Sequence, residues 1–265
     1  MFSSVRLSST ARLLRFDPRS KIEPAWVTQS RMERLQQTWR NQSDDNDDGT
    51  NYTPLYVIMA INACVFVLWQ AEYSASMQNW LLQNFTVSLR NMAAGRYWTL
   101  LTGGFSQEGL LHLGVNMFVL YSFGHYVFEA LGSRQFLALY LGSAIASSIC
   151  HLMYMRYALP RIHRVPPHLH QPWTRLYDRP SHGASGAVAT VVTLAALMNP
   201  AQKVLLYFVI PVPVLAAVGM FVVYDAYQAI QGRMDGVAHA AHLGGSAIGF
   251  LYFMAFRRRL PRLRF

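Results

Sequence analysis

Charge is scarce in this chain. Asp, Glu, Lys and Arg make up 14% of its 265 residues, where a soluble domain carries about a quarter. With a mean hydropathy of +0.17, that deficit excludes an ordinary soluble enzyme. Aromatics are not scarce, at 13%, which excludes a disordered chain. Cysteine nearly is: Cys64 and Cys150 are too few for a disulfide-stapled secreted scaffold. Both sit in apolar runs and are expected to be buried free thiols. Internal repeats are absent. So are the alternating segments of about ten residues that a membrane β-barrel requires.

What charge there is lies at the ends and in loops. Residues 1–52 form a polar N-terminal region. Met1 to Phe16 carries Arg6, Arg12, Arg15 and several serines but no acid, the composition of a mitochondrial transit peptide. No long apolar stretch marks a secretory signal. Asp44, Asp45, Asp47, Asp48 and Gly49 read as a linker, and residues 257–265 as a basic C-terminal tail.

Between these ends lie six apolar stretches, at about 53–71, 112–131, 135–155, 183–200, 203–224 and 239–256. A helix needs about 20 mainly apolar residues to cross a bilayer. Backbone polar groups in lipid must bond within their own segment, so these stretches are expected to be helices. The fold class expected is all-α: a polytopic six-helix membrane bundle over 53–256. Six crossings put both termini on one face, side A. Side A holds 15 Lys and Arg against 8 on side B, which points the termini toward the matrix or cytoplasm.

A polar residue inside a spanning segment is a functional signal by default. Here such residues gather: His112 and Asn116 open the second segment, Ser185 the fourth and His239 with His242 the sixth. Even-numbered segments all begin on side B, so these residues share one depth. The fourth segment, from Ala184 to Met198, is about 22 Å long at 1.5 Å per residue, against about 30 Å of hydrocarbon. Its start is therefore sunk. A sunken polar start is tolerated where it lines a water-filled cavity, and water there is what a membrane hydrolase requires. Helical phase groups His242, Gly245 and Gly249 on one face and Ser185, Ala189, Val192 and Ala196 on another. Packing those faces would bring the hydroxyl to the imidazole.

A serine hydroxyl becomes a nucleophile when a base takes its proton, and histidine titrates in the right range. A carboxylate often orients that histidine. Neither Glu129, toward side A, nor Asp225, at the end of the fifth segment, is expected to do so. The residues thus read as a dyad, Ser185 as nucleophile and His242 as base then acid. The oxyanion needs preorganised donors: the Ser185 backbone N–H, the Asn116 amide or the His112 imidazole.

Three strings, Gly183-Ala184-Ser185-Gly186-Ala187, His112-x-x-x-Asn116 and Ala241-His242-Leu243-Gly244-Gly245, resemble the signatures of rhomboid intramembrane serine proteases. Ile61 to Trp69, Asn116 to Phe123 and His239 to Gly245 resemble the mitochondrial, presenilin-associated rhomboid-like branch. The resemblance spans about 53–256. It implies a six-helix core that cleaves transmembrane or membrane-tethered proteins through an acyl-enzyme. By motif position Ser185 and His242 would be catalytic, with His112, Asn116 and Gly183 at the oxyanion. Family members admit substrate near the second and fifth helices. Pro211 and Pro213 interrupt the fifth segment here, as a gate or as packing kinks. Two departures stand out. Ala189 occupies the position where many members stack an aromatic on the histidine. The branch also adds a helix before the core, which residues 1–52 do not supply and which would invert the core.

Rival readings are weaker. His112, His182, His239 and His242 could form a zinc site, but no H-E-x-x-H supplies a general base, and no metal or cofactor is expected. A non-catalytic relative would lack the serine or the histidine. A transporter would show two related halves. Arg96, Tyr97 and Trp98 read either as the family's membrane-dipping first loop or as an interfacial belt. The loop Arg161 to His170, rich in Arg, His and Pro, reads as solvated and in reach of anionic lipid headgroups. The partners expected are the bilayer and membrane-protein substrates, not nucleic acid. The compartment expected is the mitochondrial inner membrane, with a secretory membrane such as the Golgi as the alternative.

Overall fold

A computed structural model of the chain describes residues 51–71, 74–107, 109–206 and 210–257. The expected transit peptide and Asp-rich linker fall outside these residues, as does the basic tail beyond Arg257.

Helix α1 (Thr53–Gln70) carries Pro54 in its first turn, where a missing N–H costs nothing. Its inner stripe, Leu55, Ile58, Asn62, Val65 and Trp69, steps by three and four residues and is buried. Short helices α2 (Ala75–Asn84), α3 (Leu89–Ala93) and α4 (Thr99–Thr102) follow, then a 3₁₀ turn, Gly103–Phe105. Ser74 and Ser88 cap α2 and α3 by accepting from the Met77 and Asn91 backbone N–H groups.

Helix α5 (Leu110–Met153) holds the expected second and third segments as two arms that meet at Gly132. Gly132 has φ of +74°, a conformation open to glycine. After a π-turn (Tyr154–Ala158) come α6 (Leu159–Ile162), a 3₁₀ turn (Pro167–Leu169) and α7 (His170–Leu176). Loop 156–182 is therefore folded, while most of residues 161–170 stay exposed, as expected of a solvated stretch. The Asp178 carboxylate accepts from the Leu89 and Arg90 N–H groups at 3.0 and 2.7 Å, so this loop caps α3. The Arg179 guanidinium donates to the Met234 carbonyl.

Helix α8 (Ser185–Met198) is the centre of the molecule. Eleven of its 14 residues are buried, and α5, α9 (Val214–Ile230) and α10 (His239–Phe256) pack around it. At 14 residues it spans about 21 Å, short of the hydrocarbon thickness.

The expected fifth helix is corrected here. Its first part forms an antiparallel hairpin, β1 (Lys203–Leu206) with β2 (Ile210–Pro213), in which Leu205 faces Pro211 and Lys203 faces Pro213. Inside a helix each of these prolines would remove a backbone hydrogen bond and clash with the preceding turn, at about 3 kcal/mol apiece. On an edge strand they share the side that needs no N–H. Pro213 then precedes α9, which runs on to Ile230, so Pro211 and Pro213 form no kink within a spanning helix.

Among the described residues there are six apolar helical segments: α1, the two arms of α5, α8, α9 and α10. The α1 helix and the run from Leu110 to Ile162 are long and apolar enough to cross a membrane, while α8 and α9 are shorter. Val67, Phe118, Val223 and Leu251 are each more than half exposed. That apolar exterior suits lipid rather than water. Cys64 lies on it and is exposed, while Cys150 is partly covered, and both are free thiols. The expectation of burial fails for Cys64 because an apolar run facing lipid reads like one facing a core. Glu129 accepts from the Tyr52 hydroxyl at 2.5 Å, which ties α5 to the start of α1 on side A. That hydrogen bond pushes the Tyr52 phenol up to about 12.

Candidate active site

Helix α8 begins at the site because the chain before it is pinned. Val87 and Ser181 exchange backbone hydrogen bonds at 2.6 and 2.8 Å. The Gly183 N–H donates to the Gly103 carbonyl at 2.9 Å. Gly183 has φ of +137°, where a side chain would be strained. A Cβ there would also lie 3.0 Å from the His112 ring. Ala184 is fully buried, and Ser185 is the first helical residue.

Glycines set how closely α8 and α10 approach. A Cβ on Gly245 would lie 1.9 Å from the Gly186 carbonyl oxygen, and one on Gly249 2.7 Å from that of Thr190. The Thr190 hydroxyl donates to the Gly245 carbonyl at 2.7 Å. The contact face of α8 is therefore Gly186, Thr190 and Thr193, one residue round from the expected Ala189, Val192 and Ala196. Small residues fill both faces, so pattern alone does not fix the phase. This approach leaves Ser185 Oγ 2.7 Å from His242 Nε2.

His242 is held from two further sides. Asp225 was expected to be remote, yet its Oδ2 and Oδ1 lie 3.2 and 3.3 Å from His242 Nδ1. The fifth helix ends on side B, where the sixth begins, and it continues past Asp225 to Ile230. That extension carries the carboxylate back along the first turn of α10. Its Oδ1 also lies 2.6 Å from His239 Nδ1. Phe221, one turn before Asp225 on the same face of α9, lies against the His242 ring with centroids 5.3 Å apart. It supplies the aromatic missing at Ala189. The signal for both was the spacing of four between Phe221 and Asp225.

His112 and Asn116 stand on the first turns of α5. A Cβ on Gly183 would meet both the His112 ring and Ser185 Oγ, at 3.0 and 3.5 Å, so the two groups flank one point. Asn116 is buried and donates to Gln107 Oε1 at 3.3 Å. Gln107 in turn donates to Asn62 Oδ1 at 3.4 Å. The Gly183 N–H is engaged by the Gly103 carbonyl, and its positive φ sets the turn that leads into α8. His182 lies with its ring stacked on Trp69, centroids 5.7 Å apart, away from any shared donor set with His242. Among the described residues the donor atoms that could hold a metal together are those of Asp225, His239 and His242, all within 4.8 Å of one another.

The Rhomboid domain matches residues 94–259 of this sequence. The chain belongs to the rhomboid family. The rhomboid core described above is similar to the Arabidopsis thaliana protein named RHOMBOID-like protein 12, mitochondrial, with 32% identity over 78% of this chain and 59% of that protein. It is 35% identical to Rhomboid protein 1, mitochondrial, of Saccharomyces cerevisiae, over 75% of this chain and 51% of that one. It is 29% identical to the Presenilin-associated rhomboid-like protein, mitochondrial, of Bos taurus, over 81% and 50%. The chain thus spans about half to three fifths of the length of these relatives. The rhomboid is a multi-pass membrane protein of the mitochondrial branch. In its first loop Arg96 donates to Asn91 and Gln83, and Trp98 to Asn84. Those bonds knit α2, α3 and α4 together.

Proposed function

We propose that this rhomboid is a serine endopeptidase of the mitochondrial inner membrane that cleaves transmembrane or membrane-tethered proteins. The observation that carries the proposal is the 2.7 Å approach of Ser185 Oγ to His242 Nε2, inside a bundle of apolar helices. The Ser185 hydroxyl donates to His242 Nε2, which takes the proton as the oxygen attacks a peptide carbonyl. The new C–O bond makes a tetrahedral oxyanion. As that intermediate collapses, His242 returns the proton to the leaving amine and the C–N bond breaks. Water, deprotonated by His242, then cleaves the ester and frees Ser185.

The oxyanion would face the first-turn N–H groups of α8, which have no intrahelical acceptor, with His112 beside them. Asn116 is one turn deeper on the same helix as His112 and would complete the polar wall. A short central helix with a sunken start would let water reach this depth.

The test is cleavage of a reporter transmembrane protein by the full chain in liposomes. Ser185→Ala should reduce cleavage to background while the variant keeps its thermal midpoint. Undiminished cleavage by that variant would refute the serine mechanism.

A further inference from the structure

We infer that Asp225 is the positioning residue for His242, and that His239 holds Asp225 in place, so that the serine and histidine are backed by a buried Asp–His pair. This rests on the serine-peptidase reading above and extends it. The four side chains form one line of contacts: Ser185 Oγ to His242 Nε2 at 2.7 Å, His242 Nδ1 to Asp225 Oδ2 at 3.2 Å, and Asp225 Oδ1 to His239 Nδ1 at 2.6 Å. Asp225 is 1% exposed, His239 4% and His242 7%.

A carboxylate that deep needs hydrogen-bond partners to offset its lost hydration. Here the two imidazoles that face it are the partners. For Ser185 to donate to Nε2, the proton of neutral His242 must sit on Nδ1, and Nδ1 faces Asp225. The carboxylate thereby selects the tautomer in which Nε2 is a free base. When His242 accepts the serine proton, the same carboxylate faces the imidazolium that forms. His239 is the shorter of the two contacts, so it fixes which oxygen of Asp225 remains for His242. Its other nitrogen lies 3.3 Å from Asp235 Oδ2, in the connector between α9 and α10. His239 is thus braced from both sides, three residues before the base on α10.

Helix geometry explains why these residues coincide. His239 and His242 are i, i+3 and share a face at the start of α10. Asp225 lies near the end of α9, and the connector 231–238 folds α10 back against it. No bond to substrate is implied for Asp225 or His239, since both act through His242.

The test is Asp225→Asn in the full chain in liposomes, with rate and affinity separated. We expect kcat to fall at least about 100-fold, toward the roughly 10⁴-fold seen when a triad carboxylate is lost, with KM within threefold of the unaltered protein. Asp225→Glu should recover part of that loss. A kcat within threefold of the unaltered protein would overturn the inference, as would a loss carried by KM alone. A second measurement needs no substitution. Nitrogen NMR of the ¹⁵N-histidine-labelled chain should find the neutral His242 proton on Nδ1, and a proton on Nε2 would overturn the inference. Activity abolished by a chelator and restored by a divalent cation would also overturn it, by making the cluster a metal centre. If the unaltered chain cleaves nothing, the peptidase reading fails while the NMR result still decides the Asp225 contact.

Discussion

The Phe221 and His242 rings lie with centroids 5.3 Å apart, inclined by 33°, and Phe221 belongs to a different helix from any residue of the serine motif. The ring restricts the imidazole on one face while Asp225 faces its Nδ1 edge. Aromatic contacts of this kind contribute about 0.5–1.5 kcal/mol. At 1.36 kcal/mol per tenfold, Phe221→Ala should slow cleavage and the labelling of Ser185 alike, by about 2- to 13-fold. Phe221→Tyr should stay near the unaltered rate. Steady-state kinetics on both variants checks this, and an unchanged Phe221→Ala would mean that the ring is held elsewhere.

Helix approach gives a sharper expectation. A methyl on Gly245 would overlap the Gly186 carbonyl, whereas one on Gly142 meets nothing within 4 Å. Gly245→Ala must push α10 from α8 and lengthen the gap between Ser185 and His242. It should cost at least about 100-fold in cleavage, since misplacement by about 1 Å costs that much, and should lower the thermal midpoint. Gly142→Ala should stabilise by about 0.5–1 kcal/mol through helix propensity. Thermal unfolding of both variants in one detergent makes the comparison.

Gly183 combines a positive φ with contact to His112. Gly183→Ala should therefore impair both the turn into α8 and the site, reducing cleavage at least tenfold with the Ser185 hydroxyl still present. Full activity in that variant would contradict the conformational role assigned to this residue.

Asp235 lies outside the spanning helices. Burial alone would raise its carboxyl, but the Val237 N–H and His239 outweigh that and hold it below the usual carboxylate range. A depressed acid adds stability above its unfolded pKa and loses it as pH falls through the folded one. Asp235→Asn should thus lower the thermal midpoint at pH 7. The difference should shrink as pH drops below about 4. Melting curves at several pH values test this, and a difference independent of pH would contradict it.

Much of this was legible in the sequence. Length and hydropathy located α1 and α10 almost to the residue, and depth brought Ser185, His242 and His112 together. The hairpin at 203–213 was hidden because an apolar run that begins a strand reads like one that begins a helix, even with Pro211 and Pro213 flagged. Asp225 escapes the sequence reading because the apolar stretch stops at residue 224, while the helix runs on to Ile230. That extension sets the carboxylate beside His239. The phase of α8 was off by one because Ala, Gly and Thr on neighbouring positions all permit close packing.

The central claim is that His242 activates Ser185. The most direct measurement is the intact mass of the full chain after exposure to a fluorophosphonate. The account predicts one adduct, mapped to Ser185, absent in Ser185→Ala and reduced at least 100-fold in rate in His242→Ala. A folded chain that takes no adduct, or one whose labelling is unchanged by His242→Ala, would contradict it.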